Sequence, residues 1–382
     1  MHADLFKLKN EGYVYVCMIC ICIELRAVRL KFCVFNAEAG AENFVPTIFQ
    51  GFVSQIHHVF EREGNQEEMV VSLIARRSAK RPGTRQWRRG ADAEANVANF
   101  VESEQLVEFT NPYLQSSFVQ LRGSIPLMWS QTPNLKYKIP IAIGPSGRSE
   151  AALKSHIMSL TKSYGKVTAI NLANQTGREG KLSSAYASAA ENVKKEIDSF
   201  RFVEFDFHKQ CGATNYKNLN ILWQDVALSH SDAGLWTKSD SMETTRQNGV
   251  FRTNCIDTLD RTNVVQGMLA RKSLEHVLRE RGLLSKEGET IESNFPEFEM
   301  KFRTLWADHG DEISRHYAGT GAMKSAFTRT GKRDLAGLVD DGTKSMSRYF
   351  LNNFRDGVKQ DALDLVTGNY KPSQGEYEIC LA

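Results

Sequence analysis

The pattern of apolar and polar positions predicts that helices and strands alternate through the middle of the chain. Apolar runs bounded by turn residues predict strands, and longer stretches with helical spacing predict helices. The predicted strands are 45–53, 69–75, 118–122, 167–172 and 201–207, and the predicted helices are 149–163 and 183–200. From 298 to about 366 the pattern is mostly helical. We therefore expect an α/β fold, with a mixed sheet flanked by helices and a largely helical C-terminal part.

A further strand and helix enclose a short connecting loop. Val250, Phe251 and Thr253 favour a strand, and the apolar spacing over 262–278 predicts a helix. One face of this helix carries Val264, Val265, Met268 and Leu269, and the nearly opposite face carries Leu274, Val277 and Leu278. The helix is therefore expected to be buried on more than one side, or to pack its second half elsewhere. Because α/β folds bind ligands beyond the carboxyl ends of strands, the loop is a candidate site.

The loop carries a cysteine and an arginine six positions apart. The spacing of Cys255 and Arg261 suits a loop that wraps one phosphate, with the sulfur below the phosphorus and backbone N–H groups pointing inward. Arg261 would grip two phosphate oxygens, and Cys255 would form a cysteinyl-phosphate. The other residues expected to bind substrate through this loop are Ile256, Thr258, Leu259, Asp260, Thr262 and Asn263. The spacing alone also allows a buried cysteine beside a helix-capping Thr262.

Two carboxylates within the loop complicate phosphate binding. If Asp257 and Asp260 were both ionised, they would repel a dianionic phosphate. We expect Asp257 to be protonated and to act as general acid to the leaving oxygen, with a structural role as the alternative. Asp260, next to Arg261, is expected to hold the shape of the loop.

Two further polar residues end a predicted strand, as site residues often do. Lys209 would neutralise phosphate, and His208 would be an alternative acid. The alternative for each is a polar group at the surface or one that is satisfied by the protein. Arg178 would either pair with its neighbour Glu179 or reach the substrate.

The segment 252–263 resembles the signature of the Sac-domain phosphoinositide phosphatases. Other motifs follow the order of that family, at 76–78, 83–90, 98–105, 122–126, 201–209, 317–321 and 352–357. The resemblance implies hydrolysis of a phosphate ester on the inositol ring of a membrane phosphoinositide, with no catalytic metal and no other cofactor. The stretch 317–333 is similar to members that act on phosphatidylinositol 4-phosphate, and less similar to those dedicated to the 3,5-bisphosphate.

The resemblance also divides the chain into an unassigned leader at 1–43, a Sac-type catalytic domain at 44–370 and a tail at 371–382. The family usually has a second cysteine where Thr258 stands, which puts a protective disulfide in doubt. From the resemblance we expect the β-rich subdomain that precedes the catalytic part to be missing. We also expect no transmembrane helices after it, unlike the members resident in the endoplasmic reticulum.

Charge is distributed unevenly along an otherwise ordinary soluble composition. The 382 residues are 41% hydrophobic and 24% charged, with a net charge of +3. Seven basic residues and no acidic ones lie in 76–89, and we expect this segment to contact anionic lipid or substrate phosphates as part of a peripheral protein on the cytoplasmic face of a membrane. The alternative is pairing with carboxylates elsewhere in the chain. Only Trp87 interleaves the basic residues, so nucleic acid is not expected as a partner.

The cysteines give little support for disulfides or metal. Their number, seven, is odd, and a reducing compartment suits a thiolate nucleophile. Cys17, Cys20 and Cys22 lie in an apolar run at 13–23 with no histidine nearby, so zinc is not expected. The run is also shorter than the roughly 20 residues that a membrane-spanning helix needs, and a core strand is the better interpretation.

The main hypothesis is therefore a phosphoinositide phosphatase. A catalytically idle module that binds phosphoinositides is the first alternative, motivated by the expected loss of a subdomain. A protein tyrosine phosphatase is the second, although that family's loop typically has a glycine between the cysteine and the arginine, and 256–260 contain none.

Overall fold

The computed structural model describes residues 50–62, 65–131, 139–212, 215–240, 244–284, 288–323, 329 and 335–369. The strands are β1 Gly51–Arg62, β2 Asn65–Arg77, β3 Val101–Phe109, β4 Leu114–Arg122, β5 Trp129–Ser130, β6 Ala142–Ile143, β7 Lys166–Asn171, β8 Phe200–Glu204, β9 Trp236–Ser239 and β10 Gly249–Asn254. The helices are α1 Ser146–Tyr164, α2 Gly177–Lys194, α3 Phe207–Cys211, α4 Leu219–Ala233, α5 Asp260–Glu280, α6 Ile291–Asn294, α7 Pro296–Ala318, α8 Leu335–Phe354 and α9 Asp356–Val366, and a 3₁₀ turn spans Tyr216–Asn218.

The main sheet is mixed and has the strand order β1-β2-β3-β4-β10-β7-β8, with β9 paired to β4. Strands β1 to β4 are antiparallel neighbours, and β9 is antiparallel to β4. Strand β10 is parallel to both β4 and β7, and β7 is parallel to β8. The carboxyl ends of β4, β10, β7 and β8 therefore meet at one edge of the sheet, and β10 lies in the middle of this group.

Apolar side chains from the two faces of the sheet form two separate cores. On one face, Phe118 and Phe251 pack with apolar residues of α4, α5 and α7. On the other face, Val119 and Val250 pack with apolar residues of α1 and α2. Neighbouring strand residues thus point to opposite layers, as the period of a β-strand requires. The predicted α/β class, with helices on both faces of a mixed sheet and a largely helical C-terminal part, is confirmed.

Several predicted elements agree with the structure to within a few residues. The predicted helices at 149–163 and 262–278 correspond to α1 and α5, and the predicted strand at 167–172 corresponds to β7. Helix α5 is buried on more than one side. Val265 and Leu269 on one face, and Leu274 and Leu278 on the nearly opposite face, are all 0% exposed. The dual burial that its two apolar faces predict is therefore confirmed.

Other boundaries were wrong. The helix predicted at 183–200 begins and ends earlier, as α2, because Phe200 already starts β8. Lys209 does not end a strand, since Asp206 accepts a hydrogen bond from the Lys209 backbone N–H at 2.9 Å and begins the short helix α3. Strand β1 continues to Arg62, well beyond the predicted end at residue 53. The part of the predicted strand before residue 50 lies outside the described residues.

Candidate active site

The loop between β10 and α5, residues 255–259, lies at the shared carboxyl edge of the parallel strands. Its base is a network of buried polar side chains. Arg252 Nη1 donates to Asn254 Oδ1 at 2.8 Å, and Asn254 Nδ2 donates to Asn171 Oδ1 at 2.8 Å. Arg252 also donates to the carbonyl of Ser124. These contacts join the ends of β10 and β7 to the turn after β4, so the position from which the loop starts is determined by the sheet.

A buried arginine from β4 binds the far end of the loop. Arg122 Nη2 donates to the carbonyl oxygens of Thr258 and Leu259, at 2.6 and 2.9 Å. Thr258 has a φ of +56°, a conformation that costs a non-glycine residue roughly 1–2 kcal/mol. The hydrogen bonds from Arg122 help to hold this conformation. Burial lowers the pKa of Arg122 to about 10, so its guanidinium remains charged at neutral pH.

Asp257 is bound by two arginines of the 83–90 motif. Arg85 Nη2 donates to Asp257 Oδ2 at 3.0 Å, and Arg89 Nη2 donates to Oδ1 at 2.7 Å. Arg89 Nη1 also donates to the carbonyl of Ile256 at 3.1 Å. Burial alone would raise the pKa of Asp257, but the two guanidinium groups outweigh it and hold that pKa well below its usual value. The acid role predicted for Asp257 does not fit this arrangement, because the carboxylate carries no proton at neutral pH.

Arg261 makes a two-point ion pair with a glutamate of α2. Its Nη1 and Nη2 atoms lie 3.1 and 3.0 Å from Glu179 Oε2 and Oε1. Nη1 also donates to the Leu172 carbonyl at 3.1 Å and to Asn174 Oδ1 at 2.9 Å. Burial would lower the pKa of Arg261, but electrostatic interactions with Cys255 and Glu179, and the hydrogen bonds to Glu179, raise that pKa above its usual value. The sulfur of Cys255 is therefore within electrostatic range of this guanidinium.

A cavity of about 260 Å³ opens beside the loop and brings together part of the predicted site. Among the residues proposed from sequence, its lining includes His208, Asp260, Arg261 and Asn263. The other lining residues are Asn174, Phe207, Gly212, Tyr216, Val264, Ala307, Ala322 and Met323. Lys209 does not line this cavity, so the expectation that it neutralises phosphate there has no support from its position.

Cys255 does not line the cavity either. Its side chain is 2% exposed and packs in the same core as Phe251 and Val265. The sequence predicts that the thiol and the guanidinium of Arg261 converge on one pocket, and of these two residues Arg261 lines this cavity.

Asp260 has a different environment from Asp257. Its Oδ1 accepts a hydrogen bond from the backbone N–H of Met323 at 2.8 Å. Burial is the main cause of a raised pKa, and repulsion by Asp257 adds to it, although Arg348 and Arg261 act in the opposite direction. The predicted structural role of Asp260 agrees with the hydrogen bond to Met323, and the residue also lines the cavity.

The remaining loop residues predicted to bind substrate are largely covered. Ile256 and Leu259 are 4% and 2% exposed, and Thr262 is fully buried. Thr262 is not a helix cap, because α5 begins at Asp260 and its cap is Leu259. Asn263 lines the cavity, while its Nδ2 donates to the Trp306 carbonyl at 2.7 Å. Of the predicted loop residues, Asp260 and Asn263 therefore line the cavity, whereas Ile256, Leu259 and Thr262 are buried.

Three supporting residues were missed from sequence. Glu179 pairs with Arg261 and not with its neighbour Arg178, and the bond crosses from α2 to α5. Arg122 and Arg252 lie in two of the motifs that resemble the family, 122–126 and 252–263. Their presence in those motifs was the only indication in the sequence that they support the site. What their side chains contact depends on the order of strands in the sheet, which local patterns do not specify.

The basic segment 76–89 is largely neutralised by carboxylates. Arg76 lies 2.9 Å from Glu102 and 2.5 Å from Glu104. Arg81 pairs with Asp92 at 3.7 Å, Arg88 pairs with Asp364 at 2.5 Å, and Arg85 and Arg89 both pair with Asp257. These ion pairs agree with the alternative, which is pairing with carboxylates elsewhere in the chain, and contact of the segment with anionic lipid stays a prediction. Trp87 of this segment is 48% exposed.

The described residues include neither a helix that could span a membrane nor a cluster of side chains that could hold a metal ion. No described helix has both the length and the apolar character needed to cross a bilayer. The described residues contain no group of three or more histidine, cysteine or acidic side chains arranged to hold a metal ion. Cys17, Cys20 and Cys22, like the proposed leader at 1–43 and tail at 371–382, lie outside the described residues. The proposed domain boundaries stay a prediction.

Comparison with known proteins gives the family. A model of the SacI homology domain matches residues 26–212. A phosphoinositide phosphatase of Arabidopsis thaliana, SAC8, is 42% identical over 334 residues, which are 87% of this chain and 55% of the relative. Phosphatidylinositol-3-phosphatase SAC1 of Drosophila melanogaster is 42% identical over 343 residues, 90% of this chain and 56% of the relative. The protein of that name from Saccharomyces cerevisiae is 36% identical over 342 residues, 87% of this chain and 53% of the relative.

The resemblance to the Sac-domain family that the motifs indicate is therefore confirmed. The chain spans about half the length of the curated relatives that it matches, with 55% of SAC8 and 56% of the Drosophila protein covered.

Proposed function

We propose that the protein is a phosphoinositide phosphatase that hydrolyses phosphomonoesters on the inositol ring. The observation that carries this proposal is the loop from Cys255 to Arg261, which follows the central strand and is bound by arginines at both Asp257 and the Thr258 carbonyl. The names of the relatives support the same substrate class. Arg85, Arg89 and Arg122 hold the loop in place through hydrogen bonds, and such a preorganised loop is suited to bind an anion.

In the proposed reaction, the thiolate of Cys255 attacks phosphorus and Arg261 stabilises the charge on the equatorial oxygens. The guanidinium has five N–H donors, so Arg261 can bind phosphate while Glu179 keeps part of its contact. Because Cys255 is 2% exposed and is not among the residues that line the cavity, the proposal includes a loop movement that exposes the sulfur to the substrate. Water then hydrolyses the cysteinyl-phosphate.

The favoured substrate is phosphatidylinositol 4-phosphate, and the resemblance of 317–333 to members acting on that lipid supports this choice. The Drosophila and yeast relatives are named as 3-phosphatases, so the 3-phosphate is the comparison substrate. A lipid substrate and a thiolate nucleophile both suit a peripheral protein at the cytoplasmic face of a membrane.

The test is release of inorganic phosphate from phosphatidylcholine vesicles that contain phosphatidylinositol 4-phosphate. We expect turnover by the wild type and none by Cys255→Ser. Cys211→Ala is the matched control, because Cys211 is also a buried free thiol but lies in α3. Equal release by the wild type and Cys255→Ser would refute the nucleophile.

One observation favours the alternative of an idle binding module, namely the burial of Cys255 at 2% exposure. That module would bind the same vesicles with no release of phosphate by the wild type. Hydrolysis of a phosphotyrosine peptide in preference to the lipid would favour the tyrosine phosphatase alternative.

A further inference from the structure

The two carboxylates of the loop differ in what their oxygen atoms contact. Both oxygens of Asp257 accept hydrogen bonds from guanidinium groups, one from Arg85 and one from Arg89. Asp260 accepts one hydrogen bond, from the Met323 backbone to Oδ1. Within the described part of the chain, the second oxygen of Asp260 makes no hydrogen bond, and the residue lines the cavity together with Arg261.

We propose that Asp260, and not Asp257, gives the proton to the leaving oxygen of the substrate. This inference rests on the proposed phosphatase function and assigns a catalytic residue to it. Asp260 and Arg261 are consecutive in the chain, so the group that binds phosphate and the group that protonates its leaving oxygen share one stretch of backbone.

The proton balance of the two steps is complete with this assignment. As the sulfur–phosphorus bond forms, the phosphorus–oxygen bond to the inositol breaks, and its electron pair stays on that oxygen, which takes the proton of Asp260. In the second step the Asp260 carboxylate takes a proton from water while the water oxygen attacks phosphorus. The sulfur–phosphorus bond breaks, its electron pair returns to Cys255, and inorganic phosphate leaves with Asp260 protonated again.

The charged groups around Asp260 come from several elements. Arg348 of α8, Arg261 of α5 and Arg85 lie close enough to act on it electrostatically, and Asp257 opposes them. Arg122 of β4 is a fourth cation that interacts electrostatically with Asp260. Burial and Asp257 together leave the pKa of Asp260 raised. A bound phosphate would raise it further, because a second negative charge disfavours ionisation.

His208 is the competing donor, since it also lines the cavity. It belongs to the short helix α3, where its side chain is exposed, and not to the loop itself. Its distance from a phosphate held by Arg261 therefore depends on how α3 packs. The variant His208→Gln tests His208 as the proton donor separately from Asp260.

The test compares Asp260→Asn, Asp257→Asn and His208→Gln on two substrates. The first is phosphatidylinositol 4-phosphate in vesicles, whose alcohol leaving group needs a proton. The second is para-nitrophenyl phosphate, whose leaving group does not. We expect Asp260→Asn to lower kcat/KM for the lipid by about 100-fold or more and to affect the aryl ester far less. Asp257→Asn should lower both alike, because it removes the partner of Arg85 and Arg89.

The pH profile supplies a second readout that uses the lipid alone. For the wild type, kcat/KM should fall on the alkaline side as Asp260 ionises, and Asp260→Asn should lack this fall. A selective loss on the lipid in Asp257→Asn or His208→Gln, or an alkaline fall that persists in Asp260→Asn, would overturn the assignment. A wild type with no turnover of any phosphate ester would instead refute the proposed function.

Discussion

Asp257 shows at the scale of one residue how this site depends on paired charges. Its carboxylate is bound by Arg85 and Arg89, and the Arg89 side chain is 2% exposed. Removing one partner of such a group leaves the other charge buried without compensation. The arginines of the 83–90 motif therefore act on stability as well as on the shape of the loop.

We expect Asp257→Asn to lower the free energy of unfolding by about 3 kcal/mol. Chemical denaturation at pH 7 measures this change. The control is Asp232→Asn, which removes an exposed pair with Lys166 and should cost less than about 1 kcal/mol. Similar losses in the two variants would contradict the importance of the buried pair.

The same carboxylate predicts how stability depends on pH. Because the folded-state pKa of Asp257 is depressed, its contribution is fully present above the usual value of 3.8 and is lost as the pH falls below that value. The difference in stability between wild type and Asp257→Asn should therefore shrink on acidification below pH 3.8, in denaturation curves recorded at a series of pH values.

Glu179 positions Arg261 and is itself 7% exposed. We expect Glu179→Gln to lower kcat for the phosphoinositide by about tenfold or more, because a neutral amide holds the guanidinium less firmly in the required geometry. Steady-state kinetics that separate kcat from KM measure this effect. Glu191→Gln, on the exposed side of the same helix, is the control and should leave both constants unchanged. An unchanged kcat in Glu179→Gln would contradict the positioning role.

At the scale of elements, the approach of α7 to α5 controls the loop through Asn263. His309 Nδ1 lies 2.8 Å from Asn263 Oδ1, and that oxygen accepts a hydrogen bond from Arg122 Nη1 at 3.2 Å. Gly310 allows this packing, because a Cβ there would lie 2.6 Å from Asn263 Nδ2 and 2.8 Å from its Cγ. The small residue on α7 therefore supports the arginine that binds the loop.

Gly310→Ala should lower the free energy of unfolding by about 2 kcal/mol, because Asn263 must move. It should also reduce phosphatase activity, since Arg122 loses a partner. Thermal and chemical denaturation, together with phosphate release, check both parts. Gly342→Ala on α8 is the matched control. A Cβ there meets nothing within 4 Å, so about 1 kcal/mol of added stability is expected from helix propensity.

Elements with a strong local pattern were predictable from sequence, whereas contacts between distant elements were not. Helix α5 and strand β7 follow from apolar spacing, and the loop between β10 and α5 follows from the motif. The pairing of Glu179 with Arg261 and the burial of Cys255 depend on tertiary packing. The run of positive charge at 76–89 did not reveal that several of its arginines form ion pairs within the chain. Their carboxylate partners lie as far away in sequence as Asp364.

At the scale of the whole molecule, the C-terminal helices support the 83–90 motif. Arg88 pairs with Asp364 of α9 at 2.5 Å, and Gln360 accepts a hydrogen bond from the Thr84 backbone at 2.9 Å. Asn352 of α8 lies 3.4 Å from Arg85 Nη1. The segment that binds Asp257 is therefore positioned by helices from the other end of the chain.

We expect Asp364→Asn to increase hydrogen exchange in 83–90 and in the loop 255–259. It should also lower the free energy of unfolding by about 1–3 kcal/mol, because the Asp364 side chain is only 12% exposed. Amide hydrogen exchange read out by mass spectrometry measures this. Asp361→Asn changes an exposed carboxylate of the same helix and is the control. Unaltered exchange in both segments would contradict the support by α9.

The contacts that shape the loop also have a consequence for the order of folding. Arg122 and Thr258 are 136 residues apart, Arg89 and Asp257 are 168 apart, and Arg85 and Asp257 are 172 apart. Contacts of such long range require closure of large loops and form slowly. Competence to bind phosphate would accordingly be acquired late, after the segments that flank residue 255 have already gained their own secondary structure.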